Sequence, residues 1–265
     1  MTSRGSGPTT TSGVPHVELG MYPFSSVAGA WDDLWAAVHE RVPWTPPSLT
    51  RSGDVHARWY DNDCIITHVC GWPLAALHRN DMHVVGAFSL DLDDADGPGH
   101  YHSVLLGIDD RPLPELVGPD THAVANSADS LSGWLSLLAA TVGPGRDWPG
   151  TVTFTSAHHD SLRALAKGEA DLACIDSWSL SLISAQEPEL VRDLFRIGVG
   201  PRIPTPAVTA RKSIGDRLVG ELRDAFDDAL RAPETSAARS ALHIDGFARL
   251  DLDAYLATLP LGPSI

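Results

Sequence analysis

The sequence Asn126-Ser127-Ala128-Asp129-Ser130-Leu131-Ser132-Gly133-Trp134 marks the junction between a buried strand and a helix. Residues 121–125, directly before it, are short and largely apolar, as in a buried strand. After it, Leu135, Leu137 and Leu138 continue the apolar pattern at helical spacing. The stretch therefore predicts a strand, a tight turn and a helix that begins among hydroxyl side chains.

This predicted helix start suits an anion. The first N–H groups of a helix have no intrahelical partner and carry the positive end of the helix dipole. Ser130 and Ser132 would add hydroxyl donors, and Gly133 has no Cβ to block a close approach. A phosphate, sulfonate or carboxylate would fit such a site. The alternative is that Ser130 or Asp129 only caps the helix.

The composition is that of a globular, acidic protein. The chain has 265 residues, of which 43% are apolar, and a formal net charge of −15 with 19 basic residues. This length allows one large domain or two modest ones. The negative charge excludes nucleic acid as an expected partner. No segment approaches the ~20 consecutive apolar residues of a membrane span.

Residues 1–15 are rich in Ser, Thr, Gly and Pro and predict a disordered tail. They contain no apolar run of the kind that a secretory signal requires, so the sequence as written predicts a cytoplasmic protein. Export with the signal removed is the alternative. Cys64, Cys70 and Cys174 form no disulfide or metal-binding pattern, and we interpret them as small buried residues.

Strand-like and helix-like segments alternate along most of the chain, which predicts an α/β fold with a largely parallel sheet. Residues 49–60 have a mixed pattern and predict a short strand and a turn. From Ile214 onwards, apolar residues at helical spacing predict a long amphipathic helix, followed by a helical tail that runs to Leu259.

Two α/β units are predicted, with the second inserted in the first. The first lobe would comprise residues 16–103 and 205–265, and the second lobe residues 104–204. Extended segments near residues 101–106 and 205–210 would cross between the lobes. A ligand is then expected in a cleft at the carboxyl ends of the strands, with hinge closure around it.

Polar residues at the predicted strand ends are candidates for this cleft. His159 would donate a hydrogen bond to an anion or act as a general base, and Asp176 would accept from a ligand hydroxyl or amine. Each could instead belong only to a helix start. Tyr22 and Trp72 would form an apolar wall, or simply part of the core.

Other chemistry finds little support in the sequence. His100 and His102 share one face of an extended segment, but no third metal ligand follows at a diagnostic spacing. The sequence contains no G-x-S-x-G, no P-loop and no dinucleotide-binding fingerprint. We therefore predict neither a metal site nor a cofactor.

Four stretches, taken in order, resemble the substrate-binding proteins of phosphate/phosphonate-type ABC transport systems, specifically a stand-alone bacterial branch. Residues 67–74 are similar to that branch's Gln-Thr-Cys-Gly-Tyr-Pro-Leu signature, and residues 126–134 to its Asn…Ser-x-Ser-Gly-Tyr stretch. Residues 159–176 are similar to its His-x-x-Ser helix, Gly-x-x-Asp turn and Ile-Asp strand end. Residues 201–209 resemble its returning hinge strand, so the resemblance spans roughly residues 17–210.

The resemblance implies a two-lobed periplasmic-binding-protein type II fold that clamps a small-molecule ligand between its lobes. An ABC permease would be a further partner. The ligand-binding residues implied for the second lobe are Asn126, Ser130, Ser132, Gly133, His159 and Asp176. Those implied for the first lobe and the crossing segment are Tyr22, Gly71, Trp72 and Tyr101.

Several polar residues of the family pattern are replaced. His68 stands in place of a Gln, Leu131 in place of another Gln, and Ser177 in place of a Cys. The expected ligand is therefore less polar than free phosphate, or partly aromatic. The predicted function is solute binding of a small anionic or polar molecule that is phosphonate-, sulfonate- or carboxylate-like.

This fold also hosts enzymes, so a second hypothesis stays open. The alternative is a cytoplasmic lyase, or a cofactor or natural-product biosynthetic enzyme, with His159 and Asp176 as its acid and base.

Overall fold

The computed structural model describes residues 13–51 and 54–263, so most of the tail predicted for residues 1–15 lies outside it. Its strands are β1 (His16–Glu18), β2 (Cys64–Val69), β3 (Met82–Leu90), β4 (His100–Tyr101), β5 (Ser103–Gly107), β6 (His122–Ala125), β7 (Thr151–Phe154), β8 (Leu172–Asp176), β9 (Phe195–Val199), β10 (Ile203–Pro204), β11 (Ala207–Arg211) and β12 (Ile244–Ala248).

The α-helices are α1 (Ala28–Arg41), α2 (Val55–Tyr60), α3 (Gly71–Pro73), α4 (Ser136–Ala140), α5 (His158–Ala166), α6 (Ser177–Gln186), α7 (Asp216–Arg231), α8 (Ser236–Leu242) and α9 (Leu252–Leu256). Two wider π-helical turns continue or precede them. Leu74–His78 extends α3, and Leu131–Leu135 leads into α4.

The strands form two five-stranded sheets, one in each lobe. The first sheet has the order β1-β2-β11-β3-β12, and the second has the order β7-β6-β8-β5-β9. A two-stranded antiparallel ribbon of β4 and β10 lies where the chain passes between them, with Ile203 opposite Tyr101.

Both sheets are mixed, so the prediction of a largely parallel sheet is wrong. β11 lies between β2 and β3 and is antiparallel to both, while β5 is antiparallel to β8 and β9. These two strands directly follow the ribbon that joins the lobes. They therefore enter their sheets in the direction opposite to that of the strands supplied by strand–helix–strand units.

The helical tail predicted up to Leu259 is interrupted by a strand. α8 ends at Leu242, and the next residue, His243, adopts a left-handed conformation with φ of 54°. The chain then forms β12, which pairs antiparallel with β3, before α9 begins. The left-handed residue stops the helix, and β12 then pairs with β3, with Phe247 opposite Phe88, and becomes the edge strand of the sheet.

Residues 49–60, predicted as a short strand and a turn, contain a helix. Leu49 makes an isolated parallel bridge with Val17, but the segment continues into α2. The Asp54 carboxylate accepts a hydrogen bond of 3.1 Å from the N–H of Ala57 and so caps this helix. α2 places Trp59 in the core of the first lobe.

The core of the first lobe extends into the second lobe. α1 buries Trp31, Leu34, Trp35 and Val38 on one face against the sheet and α7. Trp178, at the start of α6, joins the same apolar cluster, and its indole N–H donates to the carbonyl of Leu242 at 2.7 Å. The two lobes are thus in direct contact behind the cleft.

Candidate functional site

A cavity of about 620 Å³ lies between the two sheets. The second lobe contributes residues from the carboxyl ends of three strands, β6, β7 and β8, and from the helix starts that follow them. The first lobe contributes residues 18–25 and 49–51, parts of α1 and α2, and Cys70, Pro73 and Pro206. Six of the predicted site residues line this cavity: Tyr22, Asn126, Ser130, Ser132, His159 and Asp176.

Residues 126–134 make hydrogen bonds and close contacts with one another. Ser130 is buried, and its hydroxyl accepts the N–H of Gly133 at 3.0 Å, so it caps this helix while also lining the cavity. Gly133 does not line the cavity. A Cβ at that position would lie 2.0 Å from Oδ1 of Asn126, so glycine is required by this close approach.

Ser132, His158 and Asp176 form a buried polar cluster at the cavity wall. Nε2 of His158 lies 3.2 Å from both Ser132 Oγ and Asp176 Oδ2, while Asp176 Oδ1 accepts the N–H of Ser179 at 2.7 Å. Burial lowers the pKa of His158, and the nearby Asp176 carboxylate opposes that shift. His158 is the neutral imidazole of this site at neutral pH.

This cluster does not have the geometry of a Ser-His-Asp catalytic triad. In a triad the aspartate holds Nδ1–H and the serine contacts Nε2, so that the oriented imidazole can take the serine proton. Here both contact Nε2 of His158, and its Nδ1 is buried without a partner among the described residues. The arrangement is suited to holding polar groups in place.

The start of α5 lines the cavity and has no side-chain cap. Its N-cap residue is Ala157, which offers no oxygen to the first N–H groups. Ser156, just before it, has a positive φ of 75°, a conformation that a non-glycine residue adopts at a cost. Ser156, Ala157, His158 and His159 all line the cavity. Unsatisfied N–H groups and a helix dipole at this position favour a negative charge.

His159 lies at the edge of the cavity and is engaged with a carboxylate. Its Nε2 is 2.7 Å from Oε1 of Glu187, which also contacts Arg163. The ring also packs edge-on against Phe24 of the first lobe, with a centroid distance of 6.3 Å. The adjacent His158 is the more deeply buried of the two, and the sequence analysis did not select it.

The two tyrosines of the predicted site lie one behind the other. Tyr22 lines the cavity and packs on Trp178 with ring centroids 4.0 Å apart. Tyr101 does not line the cavity, and Tyr22 and Ser132 influence the pKa of its phenol. Burial raises the pKa of both phenols well above its usual value, so both remain hydroxyl groups.

Gly71 and Trp72 lie outside the cavity wall. A Cβ on Gly71 would lie 2.6 Å from Cδ2 of Leu131, so the glycine allows the two lobes to pack closely. Trp72 is buried and packs against Gly262. The structure thus places four of the ten predicted residues, Gly71, Trp72, Tyr101 and Gly133, behind the cavity wall.

A family model for the periplasmic substrate-binding proteins of phosphonate ABC transporters matches residues 60–255. The chain belongs to this family. The family resemblance drawn from the sequence is thereby confirmed, and so is the function of a ligand-binding solute-binding protein. No curated protein matches the sequence significantly.

Solved structures of phosphonate-binding proteins are similar to this chain. A binding-protein component of an ABC phosphonate transporter from Pseudomonas aeruginosa has a TM-score of 0.72 at 17% identity, over 94% of this chain and 84% of that one. A protein from Prochlorococcus marinus in complex with methylphosphonate has a TM-score of 0.69 at 10% identity, over 94% and 96%.

A third similar structure holds a different ligand. It is a protein from Xanthomonas citri bound to ATP, with a TM-score of 0.66 at 15% identity, over 94% of this chain and 97% of that one. Such low identities establish the fold alone. The predicted two-lobed periplasmic-binding-protein type II fold is confirmed.

The phosphonate-binding family is periplasmic, which agrees with the exported alternative and does not support the predicted cytoplasmic location. Membership also implies a small-molecule ligand and a permease partner. Across the described residues, the structure has no helix with the length and apolarity of a membrane span. Over the same residues, no group of three or more His, Cys, Asp and Glu side chains could hold a metal ion.

Proposed function

We propose that this chain is an exported solute-binding protein that closes its two lobes on a small anionic or polar ligand and delivers it to an ABC permease. The anionic group would be phosphonate-, sulfonate- or carboxylate-like. The observation that carries the proposal is the uncapped start of α5, which lines the cavity between the lobes. It offers backbone N–H donors and a positive helix end where the strained Ser156 turns the chain.

The residues around this helix start complete a polar wall on the second lobe. Ser130 and Ser132 supply hydroxyl groups, and Asn126 supplies an amide whose Oδ1 is buried without a partner. His158 and Asp176 would accept or donate hydrogen bonds at the inner end of the same wall. We propose these side chains, together with Tyr22 and His159, as the ligand-binding residues.

The enzymatic alternative receives no comparable support from the described residues. His159 is bound to Glu187, and Asp176 accepts the N–H of Ser179 and contacts His158. The binding function is therefore the one we propose.

A ligand screen tests the proposal directly. Native mass spectrometry of the purified protein, followed by thermal-shift titration, would compare methylphosphonate, inorganic phosphate, methanesulfonate and acetate with larger members of each class. We expect at least one class to raise the melting temperature and to be recovered chemically unchanged. Conversion of a bound compound to a product would rule out pure binding, and the absence of any shift across all classes would contradict the anion site.

The double substitution Ser130→Ala with Ser132→Ala tests the polar wall. Losing both hydroxyl groups should weaken binding of the tightest ligand in that screen by about 1–3 kcal/mol, because the partners left behind are buried. Isothermal titration would measure this change. Ser184→Ala is the matched control, since that hydroxyl donates to the Leu180 carbonyl within α6 and does not line the cavity. Equal affinity in the double variant and the control would remove residues 126–134 from the site.

A further inference from the structure

The two walls of the cavity differ in chemistry. The second-lobe wall is made almost entirely of polar side chains, with Ala157 as its apolar member. The first-lobe wall includes a set of apolar and aromatic residues, which we call the tail chamber, alongside the polar residues Glu18, Ser25, Thr50, Arg51 and His56. The tail chamber is lined by Leu19, Ala28, Trp31, Leu49, Val55 and Trp59.

The cavity is much larger than a simple phosphonate. Its volume of about 620 Å³ falls within the range of roughly 300–1,000 Å³ that encloses drug-sized ligands. At roughly 30 Å³ for each non-hydrogen atom, as for a molecule of liquid water, methylphosphonate fills about a quarter of that volume. A ligand confined to the polar wall would leave the tail chamber to water against an apolar surface, which is unfavourable.

The walls of the tail chamber are held in place by their own contacts. The indole N–H of Trp59 donates to the carbonyl of His68 at 2.9 Å, which ties α2 to β2. Trp31 packs edge-on against His68 and Phe88, with centroid distances of 5.5 Å and 5.6 Å. Rigid aromatic walls of this kind favour a flat apolar partner. The indole N–H of Trp31 is buried and has no partner among the described residues.

The charged residues near the tail chamber are already paired. Arg51 contacts Asp32 at 2.7 Å and the carbonyl of Ala28 at 2.9 Å, while Glu18 contacts Arg58 at 3.3 Å. The uncapped start of α5 lies on the opposite wall, among polar side chains. A ligand with one charged end would therefore direct that end to the second lobe and its apolar end to the first.

We propose that the ligand is an anion with an aromatic or apolar body, whose charged head lies at the start of α5 and whose body fills the tail chamber. This inference rests on the proposed function, since it assigns the orientation and the chemical class of the ligand bound in the same cavity.

Matched pairs of probes, which share an anionic group but differ in size, test whether the ligand has an aromatic body. Isothermal titration would compare methylphosphonate with benzylphosphonate, methanesulfonate with phenylmethanesulfonate, and acetate with phenylacetate. We expect the aromatic member of the best-binding pair to bind at least tenfold more tightly than its small counterpart, because it buries more apolar surface. Equal affinity within every pair that binds would overturn the tail chamber and leave the proposed function intact. Failure of all pairs to bind would overturn both.

Substitutions that fill the tail chamber test binding of the ligand's body separately from binding of its charged head. Ala28→Phe, at the first residue of α1, and Val55→Phe, in α2, should each weaken the aromatic probe at least tenfold and change the small probe less than twofold. Ala36→Phe is the control, because Ala36 is exposed on the same helix α1 and does not line the cavity. Thermal unfolding of each variant would verify that it is folded. Wild-type affinity for the aromatic probe in both folded chamber variants would contradict the proposal.

Discussion

Replacing Arg211 by methionine is expected to lower the free energy of unfolding by about 3–5 kcal/mol. The buried guanidinium donates to four backbone carbonyls: those of Cys64 at 3.2 Å, Arg58 at 2.9 Å, Trp59 at 2.8 Å and Asp61 at 2.7 Å. Methionine retains the apolar stem but supplies no donor. The four carbonyl oxygens would then have no hydrogen-bond donor in a site that excludes most water.

The effect should be specific to this arginine. Chemical denaturation would measure it against Arg217→Met, since Arg217 is an exposed residue of α7 whose ion-pair partner is Glu221 on the same helix. The control is expected to change stability by less than about 0.5 kcal/mol. Arg211→Lys should fall between the two, because lysine keeps the charge but not the planar fork. If Arg211→Met lowered the free energy of unfolding by less than 1 kcal/mol, the carbonyls would have to accept hydrogen bonds from water instead.

Arg211 also stabilises the segment that forms part of the cavity wall. Three of its four acceptor carbonyls belong to the end of α2 and the turn after it, and α2 carries Val55 and Trp59 to the wall. This helix could not be predicted from its own residues, because residues 49–60 lack helical periodicity. The helix depends on the Asp54 cap and on a side chain about 150 positions away.

The residues of the second-lobe wall could be predicted from the sequence because of the strand topology. Residues that end neighbouring parallel strands meet at one edge of a sheet, so Asn126, Ser130 and Asp176 could be placed together without coordinates. The choice between His158 and His159 could not be made in this way. The helix starts at His158, and a shift of one residue turns a side chain by about 100° around the helix.

The tail chamber could not be predicted from strand ends. Its residues come from the turn after β1, the first turns of α1, the bridge at Leu49 and α2. These segments meet only because β1 pairs with β2 and Arg211 fixes α2 against the sheet. The expectation of a less polar ligand instead came from the residues that depart from the family pattern. One of those, His68, lies directly behind the chamber wall.

Stability should fall steeply with acid because of His68. This side chain is fully buried between Trp31 and Phe88, and neither ring nitrogen has a partner among the described residues. Desolvation by burial lowers its pKa from 6.5 to about 3. The unfolded chain binds the proton near pH 6.5, whereas the folded protein does not, so protonation favours the unfolded state. Above pH 6.5 the buried His68 leaves the free energy of unfolding unchanged. That free energy falls progressively as the pH drops from 6.5 towards 3.

The expected loss from His68 at pH 4.5 is about 2–3 kcal/mol, from two pH units below the unfolded pKa at roughly 1.4 kcal/mol each. His68→Leu should remove this part of the acid sensitivity and should be at least as stable as the native chain at pH 8, because it replaces two unsatisfied nitrogens with a side chain of similar size. Denaturant titrations at pH 8 and pH 4.5 would measure both effects.

His243→Asn is the control for His68→Leu, because His243 is partly exposed and asparagine tolerates its left-handed backbone. It should keep the full acid sensitivity. Some acid sensitivity should also remain in His68→Leu, since burial lowers the pKa of His158 and His78 as well. If His68→Leu lost as much stability between pH 8 and pH 4.5 as the control, the buried imidazole would have to be protonated or hydrated in the folded protein. The wall formed by Trp31 would then have water behind it, and its preference for a flat apolar ligand would weaken.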